Sequence, residues 1–195
     1  MQSVTIGCVI KASGVSARFG GNKLLAPLWD KPLICHLLDS LPQALARTVV
    51  VTRQEAIAAL ARERGLHAVL HDFPRVSDTI RLGTAAMMDL DGCMFCGGDQ
   101  PGLRPDTLRA MLAAFASNPV RIHRLSFGEK PGSPVIFPSF LYPELLSLTG
   151  EETGSTVIRR HRELVSLVEA ASERELMDVD TREDLALWEG RAQDE

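Results

Sequence analysis

The stretch Val4-Thr5-Ile6-Gly7-Cys8-Val9-Ile10-Lys11-Ala12-Ser13-Gly14-Val15-Ser16-Ala17-Arg18-Phe19-Gly20-Gly21-Asn22-Lys23 decides the fold. Val4 to Ile10 is a largely β-branched apolar run, the pattern of a strand buried on both faces. It ends in the Gly/Ser-rich segment Ala12 to Gly21, where small residues let backbone N–H groups approach an anion. Arg18 and Lys23 add fixed positive charge. A triphosphate cradle and an ordinary surface loop both fit this composition. The loop is not a P-loop, because no Gly-Lys-Ser/Thr closes it, and not a dinucleotide fingerprint, because the G-x-G-x-x-G spacing is absent.

Outward from this strand and loop, helical and strand patterns alternate. Pro32 to Leu41 carries Leu33, Leu37, Leu38 and Leu41 on one helical face, with Pro32 suited to a first turn. Thr48 to Val51 reads as a strand, Glu55 to Arg64 as a helix and Ala68 to Leu70 as a strand. Ser77 to Met88 follows as a helix and Cys93 to Cys96 as a strand, and this alternation predicts a mainly parallel sheet. After a helix Asp106 to Ser117, the segments Val120 to Leu125 and Pro134 to Phe137 are expected to pair as a hairpin and add antiparallel strands. A short helix near Tyr142 to Leu148, a polar loop Gly150 to Gly154 and a helix to about His161 come next. A strand Leu164 to Glu169 and a last helix Thr181 to Trp188 complete the chain, with the charged tail Gly190 to Glu195 expected to fray.

The 195 residues suit one α/β domain. A net charge of −4 provides no basic field for DNA or RNA, so nucleic acid is excluded as a partner. Met1 to Ile6 lacks the basic and apolar regions of a signal peptide, and no apolar run approaches a membrane span, so a cytoplasmic protein is expected. The four cysteines, Cys8, Cys35, Cys93 and Cys96, read as buried small hydrophobes. Cys93 and Cys96 stand three apart on a strand, point to opposite faces and share neither a disulfide nor a metal ion easily. His67 and His71 have metal-like spacing only on a helix; on a strand they stand about 13 Å apart. No nucleophile–base arrangement is legible, so no covalent enzyme intermediate is expected.

A second chemical signal is Phe95-Cys96-Gly97-Gly98-Asp99-Gln100-Pro101, which puts an acid just past the carboxyl end of a buried strand, where open α/β sheets bind ligands. Either a hard cation such as Mg²⁺ or the capping of a turn accounts for a carboxylate at that point. A third is Asp178-Val179-Asp180-Thr181-Arg182-Glu183-Asp184-Leu185, where Asp180 is a candidate metal ligand and where Asp180 or Thr181 equally suits the N-cap of the last helix.

Together these motifs resemble the MobA-like nucleotidyltransferases, most nearly the molybdenum-cofactor cytidylyltransferases. Ile10 to Leu25 is similar to the signature that opens the family, Gly98-Asp99-Gln100-Pro101 with Leu103 to its G-D-Q-P-x-L, and Asp178 to Leu185 to its D-I-D-T-P-E-D-L, with Arg182 in place of proline. Val76 to Gly83 resembles G-x-S-x-S-I-x-x-G, with Arg75 where the family has a glycine. Pro131 to Phe137 resembles G-x-P-V-L-F. Gly150 to Ser155 stands where relatives show G-D-x-G-A/G-R, with Glu151 for the acid and Ser155 for the arginine that would hold an anionic acceptor.

The resemblance implies a Rossmann-like three-layer α/β/α fold of the nucleotide-diphospho-sugar transferase type, mainly parallel with an antiparallel extension. It further implies one domain over residues 1–195, with an NTP-binding part at about 1–103 and an acceptor-binding part at about 104–190. Carried over by residue, Arg18, Lys23 and Asp99 are catalytic. Ala12, Ser13, Gly14, Ser16, Arg18, Lys23, Ser77, Thr79 and Gly98 bind nucleotide, and Asp99 and Asp180 hold Mg²⁺. The small residue before Gly14 and the S-x-R-F-G that follows resemble members that use CTP. Lys11, where leucine or methionine is usual, is read as a side chain snorkelling from a strand end, with an additional phosphate ligand as the alternative. The implied reaction is transfer of CMP to the phosphate of molybdopterin, with a molybdenum hydroxylase as eventual recipient of the cofactor. Other phosphorylated acceptors (a sugar phosphate, an isoprenoid precursor or phospholactate) and a non-catalytic cofactor-handling protein are the alternatives.

Overall fold

In the computed structural model, which describes residues 4–190, the run that opens the chain becomes an interior strand of a seven-stranded sheet. Met1 to Ser3 and the tail beyond Gly190, expected to fray, lie outside the described residues. The strands are β1 Ile6–Ala12, β2 Pro27–Leu28, β3 Lys31–Pro32, β4 Arg47–Thr52, β5 His67–Leu70, β6 Gly92–Gly97, β7 Ile122–Phe127, β8 Lys130–Pro138 and β9 Val165–Glu169. The α-helices are α1 Leu33–Ser40, α2 Glu55–Glu63, α3 Val76–Ala85, α4 Pro105–Ser117, α5 Tyr142–Leu146, α6 Gly154–Arg160 and α7 Arg182–Gly190.

The sheet order is β5-β4-β1-β6-β8-β7-β9, with β2 and β3 forming a separate small hairpin. Every neighbouring pair in the large sheet is parallel except those made by β8, which runs antiparallel to both β6 and β7. The chain leaves β1 toward β4 on one side and returns to β6 on the other. The carboxyl ends of β1 and β6 therefore open a crevice at a topological switch point, with Lys11 paired to Gly97 at its floor.

Side-chain alternation along β1 sorts the two faces. Cys8 and Ile10 join the core under α1, α2, α4 and α7, while Val9 joins the core under α3, α5 and α6. Cys96 belongs to the first cluster and Cys93 to the second, and all four cysteines are buried and free. On the second face α3 lies unusually close to β1. A Cβ on Gly83 would stand 2.4 Å from Val9 Cγ1, so glycine is what lets the helix settle there and bring its N-terminus over the crevice.

Several boundaries differ from expectation. Pro32 lies in β3 and serves as N-cap of α1 instead of occupying its first turn, because the Pro27–Pro32 segment folds into the unforeseen β2–β3 hairpin. The strand expected from Val120 starts at Ile122, since the Arg121 amide closes a turn onto the Asn118 carbonyl, and it continues to Phe127. Its partner begins at Lys130, four residues before Pro134. Helix α3 ends at Ala85, where the Ala86 amide is shared between the Leu82 and Gly83 carbonyls and the chain tightens into a turn.

Candidate functional site

The loop that follows β1 is shaped from within. Ser16 and Gly20 take positive φ of 50° and 71°, and the Phe19 amide donates to the Ser16 carbonyl. Phe19 is buried, and the guanidinium of Arg182, the residue standing for the family's proline, lies 5.0 Å above its ring. That contact pins the loop to the start of α7 and leaves the neighbouring Arg18 projecting. Asn22 accepts from the Leu24 amide and caps the short turn Lys23–Leu25, which directs Lys23 inward.

Beyond β6, Asp99 is set by its neighbours. A Cβ at Gly97 would stand 2.5 Å from Asp99 Oδ1, so only glycine admits the carboxylate at that approach. The Gly98 amide donates to the Lys11 carbonyl, and the Val179 amide donates to the Asp99 carbonyl. This last bond lays Asp178 to Asp180 alongside Asp99. At the head of α7, Thr181 and Asp184 form a reciprocal cap: Thr181 Oγ1 accepts from the Asp184 amide, and Asp184 Oδ2 accepts from the Thr181 and Asp180 amides. Thr181 is thus the capping residue, and the Asp180 carboxylate is left to turn into the crevice.

The charges meet on Lys23, which is buried. Its Nζ donates to Asp99 Oδ2 at 2.6 Å and to Asp180 Oδ1 at 2.8 Å, while Arg18 donates to Asp180 Oδ2 at 2.7 Å. Burial lowers the Lys23 pKa, but the Asp99 and Asp180 carboxylates more than offset it, and the net shift is upward. Asp180 is held below the usual carboxylate range, first by the Lys23 hydrogen bond. Asp178 is pushed up to about 6, first by its crowded surroundings and then by the charges of Asp99 and Asp180, against Lys23 and Lys11. Its surface is nonetheless open to solvent.

Arg18, Lys23, Asp99 and Asp180 line a cleft of about 390 Å³. Of the residues singled out in the sequence, Ser13, Gly14, Ser16 and Thr79 line it together with Arg18, Lys23, Asp99 and Asp180. Three others lie off it. Ala12 is buried in the core under α1, Gly98 contributes an amide to the strand end, and Ser77 is buried with its hydroxyl donating to the Gly150 carbonyl at 2.8 Å. Arg75 has ordinary extended backbone, φ −97° and ψ 150°, so the family's glycine is not required at that position.

Other cleft residues stand outside the nucleotide- and metal-binding set carried over from the family. Lys11, expected to snorkel from a strand end, is half-buried and lines the cleft. Phe73 and Glu151 line it too. His71, set aside as half of a metal pair, puts Nε2 2.8 Å from Ser13 Oγ and stacks on Phe73. Burial, with Arg53, lowers its pKa and keeps it neutral at physiological pH. The charge of Lys11 within an apolar strand was a readable signal, whereas nothing in the sequence ties His71 to Ser13.

A smaller pocket of about 120 Å³ adjoins the cleft and shares Lys11 and Val76 with it. Its other walls come from α3, β6, β7, β8, α5 and α6. No helix among the described residues is long and apolar enough to cross a membrane.

Known proteins resemble the chain. The 3-deoxy-manno-octulosonate cytidylyltransferase of Brucella anthropi is 31% identical over 131 residues, covering 64% of this chain and 52% of that protein. The chain thus spans about half the length of the curated relatives it matches. Among solved structures, Rv0371c from Mycobacterium tuberculosis superposes with a TM-score of 0.79 at 22% identity over 97% of this chain and 100% of that one. It has also been solved as a complex with manganese. A CMP:2-keto-3-deoxy-manno-octonic acid synthetase complexed with CTP gives 0.74 at 16% identity over 98% and 100% of the two chains. These two structural likenesses concern the fold. Residues 8–165, which take in the glycine loop, Asp99 and both cavities' strands, match the MobA-like NTP transferase domain, and the chain belongs to that family.

Proposed function

We propose that the chain transfers CMP from CTP to the phosphate of molybdopterin or the molybdenum cofactor, with Mg²⁺ as cofactor and pyrophosphate as the second product. The observation that carries the reading is the Lys23 ammonium between the Asp99 and Asp180 carboxylates, at the switch point where β1 and β6 end. Two carboxylates that converge on one cation fit a hard ion, and Mg²⁺ commonly takes one or two carboxylates and completes its shell with phosphate oxygens. Among the described residues no group of three or more potential ligands forms a dedicated cage, which suits an ion that arrives with a triphosphate. The manganese complex of the M. tuberculosis relative supports a divalent ion in this fold. Bound to Asp99 and Asp180, Mg²⁺ would neutralise charge on the triphosphate oxygens.

The chain's own residues bind and orient. Residues Ser13 to Ser16 line the cleft, Lys23 moves from the carboxylates to the phosphates, and the exposed Arg18 follows the leaving group. An acceptor phosphate oxygen forms a bond to the α-phosphorus while the bond from that phosphorus to the bridging oxygen breaks. The electron pair leaves with pyrophosphate. A phosphate monoester is already ionised at neutral pH, so no general base is required, in keeping with a neutral His71 engaged on Ser13. The same reading expects a cytoplasmic protein that hands its product to a molybdenum hydroxylase.

A second reading takes the acceptor of the B. anthropi relative, 3-deoxy-manno-octulosonate, on the strength of the 31% identity. Pyrophosphate release with each of the four NTPs and Mg²⁺ separates the two. It is measured with reduced molybdopterin, its molybdenum-loaded form, 3-deoxy-manno-octulosonate or no acceptor, beside Asp99→Ala. Release that requires CTP and a molybdopterin form, and that is lost in the variant, is the expected result. Release only with the sugar acid would establish the second reading. No release with any NTP, despite nucleotide binding in calorimetry, would overturn both and indicate a cofactor-handling protein.

A further inference from the structure

Arg124 carries chemistry that the cleft does not use. It lies on β7, half-buried, and lines the smaller pocket together with Lys11 and Ser155. Its Nε donates to the Gly132 carbonyl at 2.8 Å and Nη2 reaches the Pro131 carbonyl at 3.4 Å, two bonds that fix the plane of the guanidinium. Among the described residues no carboxylate pairs with it. Burial alone lowers its pKa, with no acidic group near enough to counter it. A desolvated guanidinium without a counter-ion is costly unless an anion completes it.

The pocket's remaining surface narrows the choice of anion-bearing ligand. Ile80, Phe95, Val135, Phe137 and Ile158 form apolar walls, and the hydroxyls of Ser133, Thr153 and Ser155 are the few polar side chains between them. Each sugar hydroxyl pressed on such a wall without a partner would weaken binding on the order of tenfold. Register places Arg124 on β7 opposite Val135 on β8, Val135 opposite Phe95 on β6 and Phe95 opposite Val9 on β1, so the row ends two residues before Lys11, on the same face of β1. Arg124 stands at the far end of the pocket and Lys11 at its seam with the cleft.

The geometry points to Arg124 as an acceptor-binding residue, holding an oxyanion of an acceptor whose body is apolar or aromatic instead of polyhydroxylated. This rests on the transferase reading above and adds the acceptor's chemical class to it. A carboxylate and a phosphate have the same fork chemistry toward a guanidinium.

The test is calorimetry on the full chain, saturated with Mg²⁺ and a non-hydrolysable CTP analogue, titrated with phenyl phosphate, benzoate and glucose 1-phosphate. Wild type is expected to take one or both aromatic anions more tightly than the sugar phosphate, and which one binds distinguishes phosphate from carboxylate. Arg124→Ala and Arg124→Gln are expected to lose roughly 10- to 100-fold in that affinity, with Arg124→Lys between them and wild type. Affinity for the CTP analogue should stay the same in all four proteins. Unchanged anion binding in both neutral variants, or equal or tighter binding of glucose 1-phosphate, would overturn the inference. A loss of nucleotide affinity that accompanies every loss of anion affinity would show Arg124 to be only a strap of the β7–β8 hairpin. If wild type fails to bind the CTP analogue, the transferase reading itself has failed, which is a different outcome.

Discussion

The charged cleft and the smaller apolar pocket share Lys11 and Val76 but are built in opposite ways. The cleft takes most of its wall from two runs of chain, Ser13 to Lys23 and Arg75 to Thr79, with Asp99 and Asp180 added at strand and helix ends. The pocket takes a few residues at a time from β1, α3, β6, β7, β8, α5 and α6. Main-chain amides and a pair of cations can hold a phosphate from one contiguous loop. An apolar acceptor site needs shape, and shape arises only when distant elements pack. The two halves of one reaction are therefore encoded differently, and variants that strike one half should spare the other.

The variant expected to act most strongly is Lys23→Ala. It removes the ammonium between Asp99 and Asp180 and leaves those carboxylates facing each other, with Asp178 nearby. Transfer is expected to fall roughly 10²- to 10³-fold. In the absence of nucleotide, Mn²⁺ should bind the variant more tightly than wild type, because the competing cation is gone; electron paramagnetic resonance of free Mn²⁺ measures this. A wild-type rate of transfer in Lys23→Ala would remove the cleft from the chemistry.

The same division explains what could be read from the chain beforehand. Strand, glycine loop and the acid after β6 were legible because each is a local pattern: a β-branched run, small residues with two cations, an acid at a strand end. The antiparallel return of β8 was legible as a hairpin, though its limits shifted because Pro134 lies inside the strand and not at its start. The β2–β3 hairpin was not, since two-residue strands carry no period. Ser77 is the instructive residue. Its motif suggests a nucleotide contact, but its hydroxyl is spent on the Gly150 carbonyl, and only the tertiary fold brings those segments together. His71 stayed silent for the same reason, its partner Ser13 lying on a distant segment, and Arg124 because the pocket around it is assembled from distant elements.

Ser77→Ala sharpens the comparison at the boundary between the cavities. The buried hydroxyl ties the first turn of α3 to the loop that carries Glu151 into the cleft. Its loss leaves the Gly150 carbonyl short of a donor and should cost about 1–2 kcal/mol in urea unfolding. The acceptor KM should rise while CTP affinity, measured by calorimetry, stays near wild type. A drop in CTP affinity with no change in stability would instead return Ser77 to the nucleotide.

Thr181→Ala acts on the cleft through its scaffold. It removes the hydroxyl that accepts the Asp184 amide and should cost about 1 kcal/mol in thermal or urea unfolding. Asp180 keeps its amide bond to Asp184, so Mn²⁺ affinity in the presence of CTP should fall only a few-fold. A loss as large as that of Asp180→Ala would mean that the cap, and not the Val179–Asp99 backbone bond, holds the carboxylate in place.

Glu144→Gln is expected to have the smallest effect, and it tests the pocket side alone. Glu144 on α5 accepts from His161 Nε2 at 2.5 Å, just past the end of α6, and so joins two helices whose Leu145 and Ile158 line the pocket. The His161 hydrogen bond, with Arg160, holds the Glu144 carboxyl below its usual range against the opposing effect of burial. A carboxylate depressed in the folded state contributes stability above its unfolded pKa of about 4.3, and that contribution is lost as the pH falls through the lower folded value. Both partners are partly exposed, so the expected gap between wild type and Glu144→Gln is only about 0.5–1 kcal/mol at about pH 6. Urea unfolding of both proteins should show the gap closing near pH 3, with CTP affinity unchanged at the higher pH. A gap that survives acid would show that Glu144 joins α5 to α6 through packing and not through its charge.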